Sequence, residues 1–446
     1  MKTFRRYLNR NSIGAASVFS ALVAGAGFSF LFNVLLARVI GASGVGLYFI
    51  STTIIDIGAT VSRLGMESAV LRFTAITNTQ GDRAGLAALY RRSLGLAVGA
   101  AIIIAIPAWL IVSLIGLGGN RAGELQAMLP LVVLSFAPVA VRAIQAEFYK
   151  GIGAPGTGTL IHSMLPPLVL LIGGVVLWYL AAIDFQAVMI TYVVVAFACM
   201  LVGFVLWSRR RPGIWRQQGA FDIRLLLRTS MPLLFVSFGY LAMNWTDILA
   251  LGSYADPSEV GFYGVARRLT ILTTTFVMAS VNSVAGPQFA ALHAQHDDAA
   301  LARLARQCTF SMLAATLPVI LALLIFPEIV LGFFGPQFEQ GAWPLRILAL
   351  GQLVMIAIGP VETLLIMTGH GKQMRNIIGA TAVANVIGNL VLVPSYGAVG
   401  AASSTAFCLA AMDVACLLMV RKKLNITTWS ARVRRPDGER HSAAAP

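Results

Sequence analysis

Residues 43–48 read SGVGLY and residues 258–263 read SEVGFY, nearly the same phrase written again 215 positions later. At that single offset QGDRAGLAALYRRS (80–93) also lies over QHDDAALARLARQC (295–308) without a gap, sharing Gln, Asp, Ala, Leu, Ala, Leu and Arg. A later match needs a slip of three, which sets Gly151 and Gly153 of KGIG over Gly369 and Gly371 of TGHG. So long a period is far beyond a solenoid unit. The chain reads as two related halves, and the nature of each half follows from the solvent it must occupy.

Apolar residues make up 58% of the 446, charged residues 11%, and mean hydropathy is +0.80. Soluble chains carry about 25% charged residues, so there is more apolar surface here than one water-facing core can bury. The composition is that of an all-α polytopic membrane protein. The net charge of +15 does not indicate nucleic acid, because Lys and Arg avoid the apolar stretches and gather between them. That is the pattern of inner-membrane proteins that keep basic residues cytoplasmic. Cys199, Cys308, Cys408 and Cys416 lie in or beside apolar stretches without metal-ligand spacing, so packing accounts for them. The apolar run from Ile13 to Ala37 exceeds the roughly 7–15 residues of a signal h-region and is read as a retained first helix.

At about 20 residues per crossing, the chain offers twelve spans: 13–37, 45–65, 93–117, 126–149, 157–180, 184–207, 229–252, 262–285, 309–333, 342–367, 375–394 and 398–420. Placing the N-terminus inside puts most Lys and Arg on the cytoplasmic side, and an even number of crossings returns the C-terminus there. The expected organisation is a cytoplasmic N-terminus (1–12), an N-lobe (13–207), a basic linker (208–228), a C-lobe (229–420) and a basic tail (421–446). Both lobes enter in the same orientation, so they are expected as six-helix parallel repeats about an axis along the membrane normal. Each copy of the repeated phrase then opens the second helix of its half, where Gly beside an aromatic reads as a turn and an interfacial anchor. The stretches GDRAGLAALYRRS and DDAALARLARQ read as amphipathic helices on the cytoplasmic surface. External loops are short, which leaves no room for an extramembrane catalytic domain, and no Walker-type phosphate loop occurs. No enzymatic activity, no cofactor and no nucleic-acid partner are expected.

LLARVIGASGVGLYFIS (35–51), SMPLLFVSFGYLAMNWTDILALGSYADPSEVGFYGVARRL (230–269) and GAVGAASSTAF (397–407) resemble the oligosaccharide flippases of the polysaccharide-transport family. That family belongs to the superfamily that also holds multidrug and toxic compound extrusion antiporters and lipid II flippases. The resemblance covers most of residues 10–420. It implies two lobes around a central cavity, alternating access, and export of undecaprenyl-pyrophosphate-linked oligosaccharide across a bacterial inner membrane. It also implies that the product feeds a polysaccharide polymerase machinery.

Charged groups inside a bilayer cost about 2.5–3.5 kcal/mol each at mid-helix on insertion scales, so those that persist face a cavity or a partner. Arg63, Arg142, Arg267 and Arg268 are the candidates for lining a cavity that receives the pyrophosphate, whose lost hydration bidentate guanidinium contacts replace. Asp247, Glu362 and Asp56 are the candidates for ion coupling; Arg346 and Asp413 complete the intramembrane charges. The competing reading is helix locking, with Asp56 pairing with Arg63 and Arg142 with Glu147. HAQHDD (293–298) reads as a solvated loop, so no metal is expected. Gly95 and Gly99 form a GxxxG read as close packing within a lobe. Two rivals remain. A cation antiporter would place carboxylates in the cavity, and a membrane enzyme acting on the same lipid-linked sugars would need larger loops.

Overall fold

A computed structural model of the chain describes residues 2–214, 217, 219–424, 426, 428 and 429. Among these there is no strand. In chain order the helices are α1 (Lys2–Ser62), α2 (Met66–Thr79), α3 (Arg83–Ile115), α4 (Ala122–Leu134), α5 (Phe136–Gly151), α6 (Pro155–Thr159), α7 (Leu165–Tyr179) and α8 (Phe185–Arg210). There follow α9 (Ile223–Tyr254), α10 (Pro257–Ala294), α11 (Asp298–Ile325), α12 (Pro327–Gly332), α13 (Ala342–Ile358), α14 (Val361–Met367) and α15 (Gly371–Leu424). Eight helices among the described residues are long and apolar enough to cross a membrane, or up to nine if a bent pair is taken as one. Two of these hold two arms each. The long helix α1 breaks at Gly41 (φ 67°, ψ −179°) and α15 at Gly397 (φ 52°, ψ −132°), backbone settings that a residue without Cβ adopts at low cost. With α9, which at 32 residues extends about 48 Å at 1.5 Å per residue, the count is consistent with twelve crossings.

The chain packs as two compact units: one built on residues up to Leu241 with Leu251–Gly261, the other on Ala242–Ala250 with the residues from Phe262 onward. In the first unit Tyr90 of α3 stacks on Trp207 of α8 with ring centroids 4.7 Å apart, and Phe148 of α5 meets both edge-on. The Tyr149 hydroxyl donates to the Gly203 carbonyl at 2.9 Å. The linker folds onto this core: Phe221 meets Phe73 edge-on at 5.4 Å, and Arg92 donates to the Phe221 carbonyl. Trp215 and Arg216 of the linker, and the basic tail beyond residue 429, lie outside the described residues. Outward faces are apolar, with Ile103 of α3 74% and Leu114 85% exposed, as lipid-facing helices require.

Three local expectations are corrected. GDRAGLAALYRRS and DDAALARLARQ are not separate surface helices but the opening turns of α3 and α11. Asp82 caps the first by accepting from the Gly85 N–H, and Asp297 the second by accepting from the Ala300 N–H. No Pro intervenes before the apolar run in either, so the helix simply continues. The GxxxG of Gly95 and Gly99 is not a packing seam, because a Cβ added at either would meet nothing within 4 Å. The repeated phrase is not an interfacial anchor, since Tyr48 and Tyr263 are both buried.

What the phrase does is visible in its glycines. A Cβ on Gly46 would fall 1.7 Å from the carbonyl oxygen of Pro257, and one on Gly261 2.0 Å from that of Ala42. Within the first unit each glycine packs against the backbone of the residue just before the other copy. A side chain at either glycine would push these backbones apart, which accounts for Gly at the same place in both copies.

Candidate functional site

In the first unit three of the expected intramembrane charges, Asp56, Arg63 and Arg142, lie on α1, in the turn after it, and on α5. Helix α1 stops at Ser62, and Leu64 and Gly65 both take positive φ, so Arg63 sits in a turn and not on the helix face. That turn swings Arg63 toward Glu67 in the first turn of α2, which it pairs at 2.5 Å, while it also donates to the Thr60 hydroxyl. The expected Asp56–Arg63 pair is therefore replaced by Arg63–Glu67; Asp56 is half-buried on the second arm of α1. Likewise Glu147 pairs with Lys150 at 2.6 Å and not with Arg142. On a helix, positions three apart are neighbours on one face, whereas positions five apart are turned about 140° from each other.

Arg142 of α5 is left without a carboxylate among the described residues. It is 9% exposed, its Nε has no hydrogen-bond partner, and the Cys199 thiol is within hydrogen-bonding reach. Its position eight residues before Lys150 places it about 12 Å along α5 from that end of the helix.

The second unit treats its charges differently. Asp247 of α9 is fully buried, and its Oδ2 accepts from Arg267 Nε at 2.9 Å and from the Tyr263 hydroxyl at 2.6 Å. Its Oδ1 accepts from the Ile248 N–H at 2.8 Å. Arg267 also lies over the Trp245 ring at 5.4 Å from the centroid and reaches Asn244 Oδ1 at 3.4 Å. Two residues expected in separate roles, Arg267 for substrate and Asp247 for coupling, are thus brought together as one buried ion pair. Tyr263, four positions before Arg267 on the same face of α10, is the member that sequence reasoning missed, although that spacing announces it. Arg268, turned about 100° from Arg267 on the helix, is half-buried.

Glu362, half-buried in the first turn of α14, and Asp413, 1% exposed on α15, lie close enough for their charges to act on each other. Asp413 Oδ2 has no hydrogen-bond partner. Arg346 is set aside from these groups, pairing with Glu328 at 2.9 Å and lying over Trp343. In HAQHDD, His296 takes a left-handed turn and Asp297 caps α11.

Against known proteins, residues 35–342 match the model of the family described as polysaccharide biosynthesis protein. The chain is 25% identical over 426 residues to a probable low-salt glycan biosynthesis flippase, Agl15, of Haloferax volcanii, covering 91% of this chain and 82% of that protein. It superposes on the lipid II flippase MurJ in an inward closed conformation with a TM-score of 0.74 at 14% identity, over 92% of this chain and 87% of that one. A multidrug resistance MATE family transporter in its inward-facing conformation gives the same TM-score at 15% identity, over 92% and 98%. These two likenesses establish the fold, which the chain shares with both, that of a multi-pass membrane protein. The family match spans more than half of the sequence, and the chain belongs to the polysaccharide biosynthesis protein family.

Proposed function

We propose that the protein flips an undecaprenyl-pyrophosphate-linked oligosaccharide, the repeat unit of a polysaccharide or O-antigen, across a bacterial inner membrane by alternating access coupled to an ion gradient. The observation that carries this reading is Arg142: a guanidinium buried within a span, without a carboxylate among the described residues and with its Nε unpartnered. Burying an unpaired charge is costly, and a pyrophosphate, rich in acceptors and anionic, is the kind of ligand that removes the cost. Arg63, whose Nε is also unpartnered, adds a second planar donor set. In this reading Arg268 extends the basic surface in the second unit. Glu362, with Asp413 beside it, exchanges the coupling ion there, with Asp56 a further candidate in the first unit, while Asp247 is held by Arg267. The Haloferax volcanii relative, named as a probable glycan biosynthesis flippase, supports the substrate class.

A cation antiporter is the second reading, and the Glu362–Asp413 pair is the observation in its favour. Vesicles decide between them. Imposing an ion gradient should drive lipid-linked oligosaccharide into the far leaflet while ethidium stays in place. Ethidium efflux with no movement of the lipid-linked sugar would transfer the assignment to the antiporter. In cells, removing the protein should make the lipid-linked oligosaccharide accumulate on the cytoplasmic leaflet.

A further inference from the structure

Between α6 and α7 the chain makes one turn of π-helix, Leu160–Met164. Such turns are rare inside helices and frequent at functional sites, because the extra residue per turn re-aims a side chain. The turn is pinned from outside: a Cβ on Gly25 of α1 would fall 2.3 Å from the Ser163 carbonyl oxygen, so α1 lies directly against it. At its centre is His162, whose Nδ1 is buried without a hydrogen-bond partner. The turn packs against α5, and Arg142, Arg63 and Lys150 lie near enough for their charges to reach its imidazole. All three are cations. Glu67 and Glu147 already engage Arg63 and Lys150, which leaves Arg142 as the neighbour without a carboxylate partner among the described residues.

Three elements therefore present unpartnered nitrogens in one neighbourhood: Arg63 Nε after α1, Arg142 Nε on α5 and His162 Nδ1 in the π turn. No hydrogen bond ties His162 Nδ1 to the cations near it. It gains a partner when an anion arrives, to which it donates beside the two guanidinium groups. We infer that His162 is a third ligand of a phosphate-type anion held with Arg142 and Arg63, and that the π turn serves to aim its imidazole into that site. This deepens the anionic-substrate reading above and rests on it. The ligand class is a pyrophosphate, free or carried on a prenyl chain.

The test uses the full chain in nanodiscs of phosphatidylcholine, with histidines labelled with nitrogen-15. The chain has five histidines, and His162→Gln assigns the signal of interest by its loss. Farnesyl pyrophosphate and inorganic pyrophosphate are titrated separately, so that a lipid-borne and a free source are distinguished. The His162 ring signals should shift on saturation, and His162→Phe should weaken binding about ten- to a hundredfold, the range for a charge-assisted hydrogen bond. His162→Gln, which keeps an N–H donor, should recover most of that loss. Saturable binding abolished by Arg142→Gln but unchanged in both His162 variants, with the His162 signal unmoved in the wild type, overturns this inference alone. Wild-type protein that binds neither probe overturns the anionic-substrate reading together with it.

Discussion

Removing one partner of the Arg267–Asp247 pair should destabilise the second unit far more than removing both. In Arg267→Leu, Asp247 stays fully buried and keeps, among the described residues, two neutral donors, the Tyr263 hydroxyl at 2.6 Å and the Ile248 N–H at 2.8 Å. Losing one side of a buried pair costs about 3–5 kcal/mol in soluble proteins. In Asp247→Leu the guanidinium retains the Trp245 face and Asn244 Oδ1. A desolvated cation–π contact is worth about 2 kcal/mol, so this loss should be the smaller of the two. The double Leu variant leaves no charge behind, and such replacements range from neutral to stabilising by about 1–4 kcal/mol. The three variants thus predict a coupling of at least about 4 kcal/mol, the sum of the two single losses over a neutral double variant. The unfolded state within a bilayer also finds polar partners, which lowers measured couplings to about 0.6 kcal/mol on average for hydrogen bonds between helices. Thermal unfolding in detergent by circular dichroism, arranged as a double-mutant cycle, measures it, with Arg268→Leu as the neighbouring control. Single losses that simply add in the double variant would refute the pairing argument. If the double variant folds and still flips substrate, the pair locks α9 to α10. If it folds and is inactive, the charges take part in transport.

Arg142→Gln should leave abundance unchanged or raised while flipping, read as lipid-linked oligosaccharide reaching the outer leaflet, is lost; it removes a buried charge that has no carboxylate partner among the described residues. Gly46→Ala and Gly261→Ala should each lower the melting temperature, since the new Cβ falls within 2.0 Å of a backbone carbonyl oxygen and overpacking costs at least about 1–3 kcal/mol. Gly95→Ala should do the opposite, gaining about 0.5–1 kcal/mol of helix propensity in open space. Reporters fused near Gly118, Asp184 and Ser395 should read as external and those near Gln80, Gln217 and the C-terminus as cytoplasmic; an external signal at Gln217 would require inverted halves.

The crossings were legible because lipid imposes one rule on every residue of a span, so apolar runs of sufficient length announce themselves without knowledge of any contact. Where a helix begins was less legible. Charged stretches such as GDRAGLAALYRRS look detachable from the membrane, yet they continue into α3, whose opening turns bury Leu86, Leu89 and Tyr90 against the first-unit core. The repeated phrase was legible as a repeat but not as a contact. Gly46 and Gly261 need glycine because each receives the backbone just before the other copy, and that meeting is decided by the packing of segments 215 residues apart in sequence.

The charges divide in the same way. Their cost in a bilayer marks them out one by one, whereas their pairing depends on geometry that no single helix contains. Arg63 finds Glu67 because Leu64 and Gly65 break the helix between them, and Arg267 finds Asp247 because α9 and α10 bring them together. Counting carboxylates and guanidinium groups along a helix face would have neutralised Arg142 with Glu147, and the fold gives Glu147 to Lys150 instead. A pair that locks helices must be complete before the substrate arrives; a group that meets a transported anion must be incomplete until then. Arg267 meets the first condition and Arg142 the second, so on the proposed reading two buried arginines of the same chemistry would serve opposite purposes. His162 follows Arg142: nothing in LIHSMLPPL distinguishes it, because a single π turn leaves no periodic trace, and only its unpartnered nitrogen among three cations sets it apart.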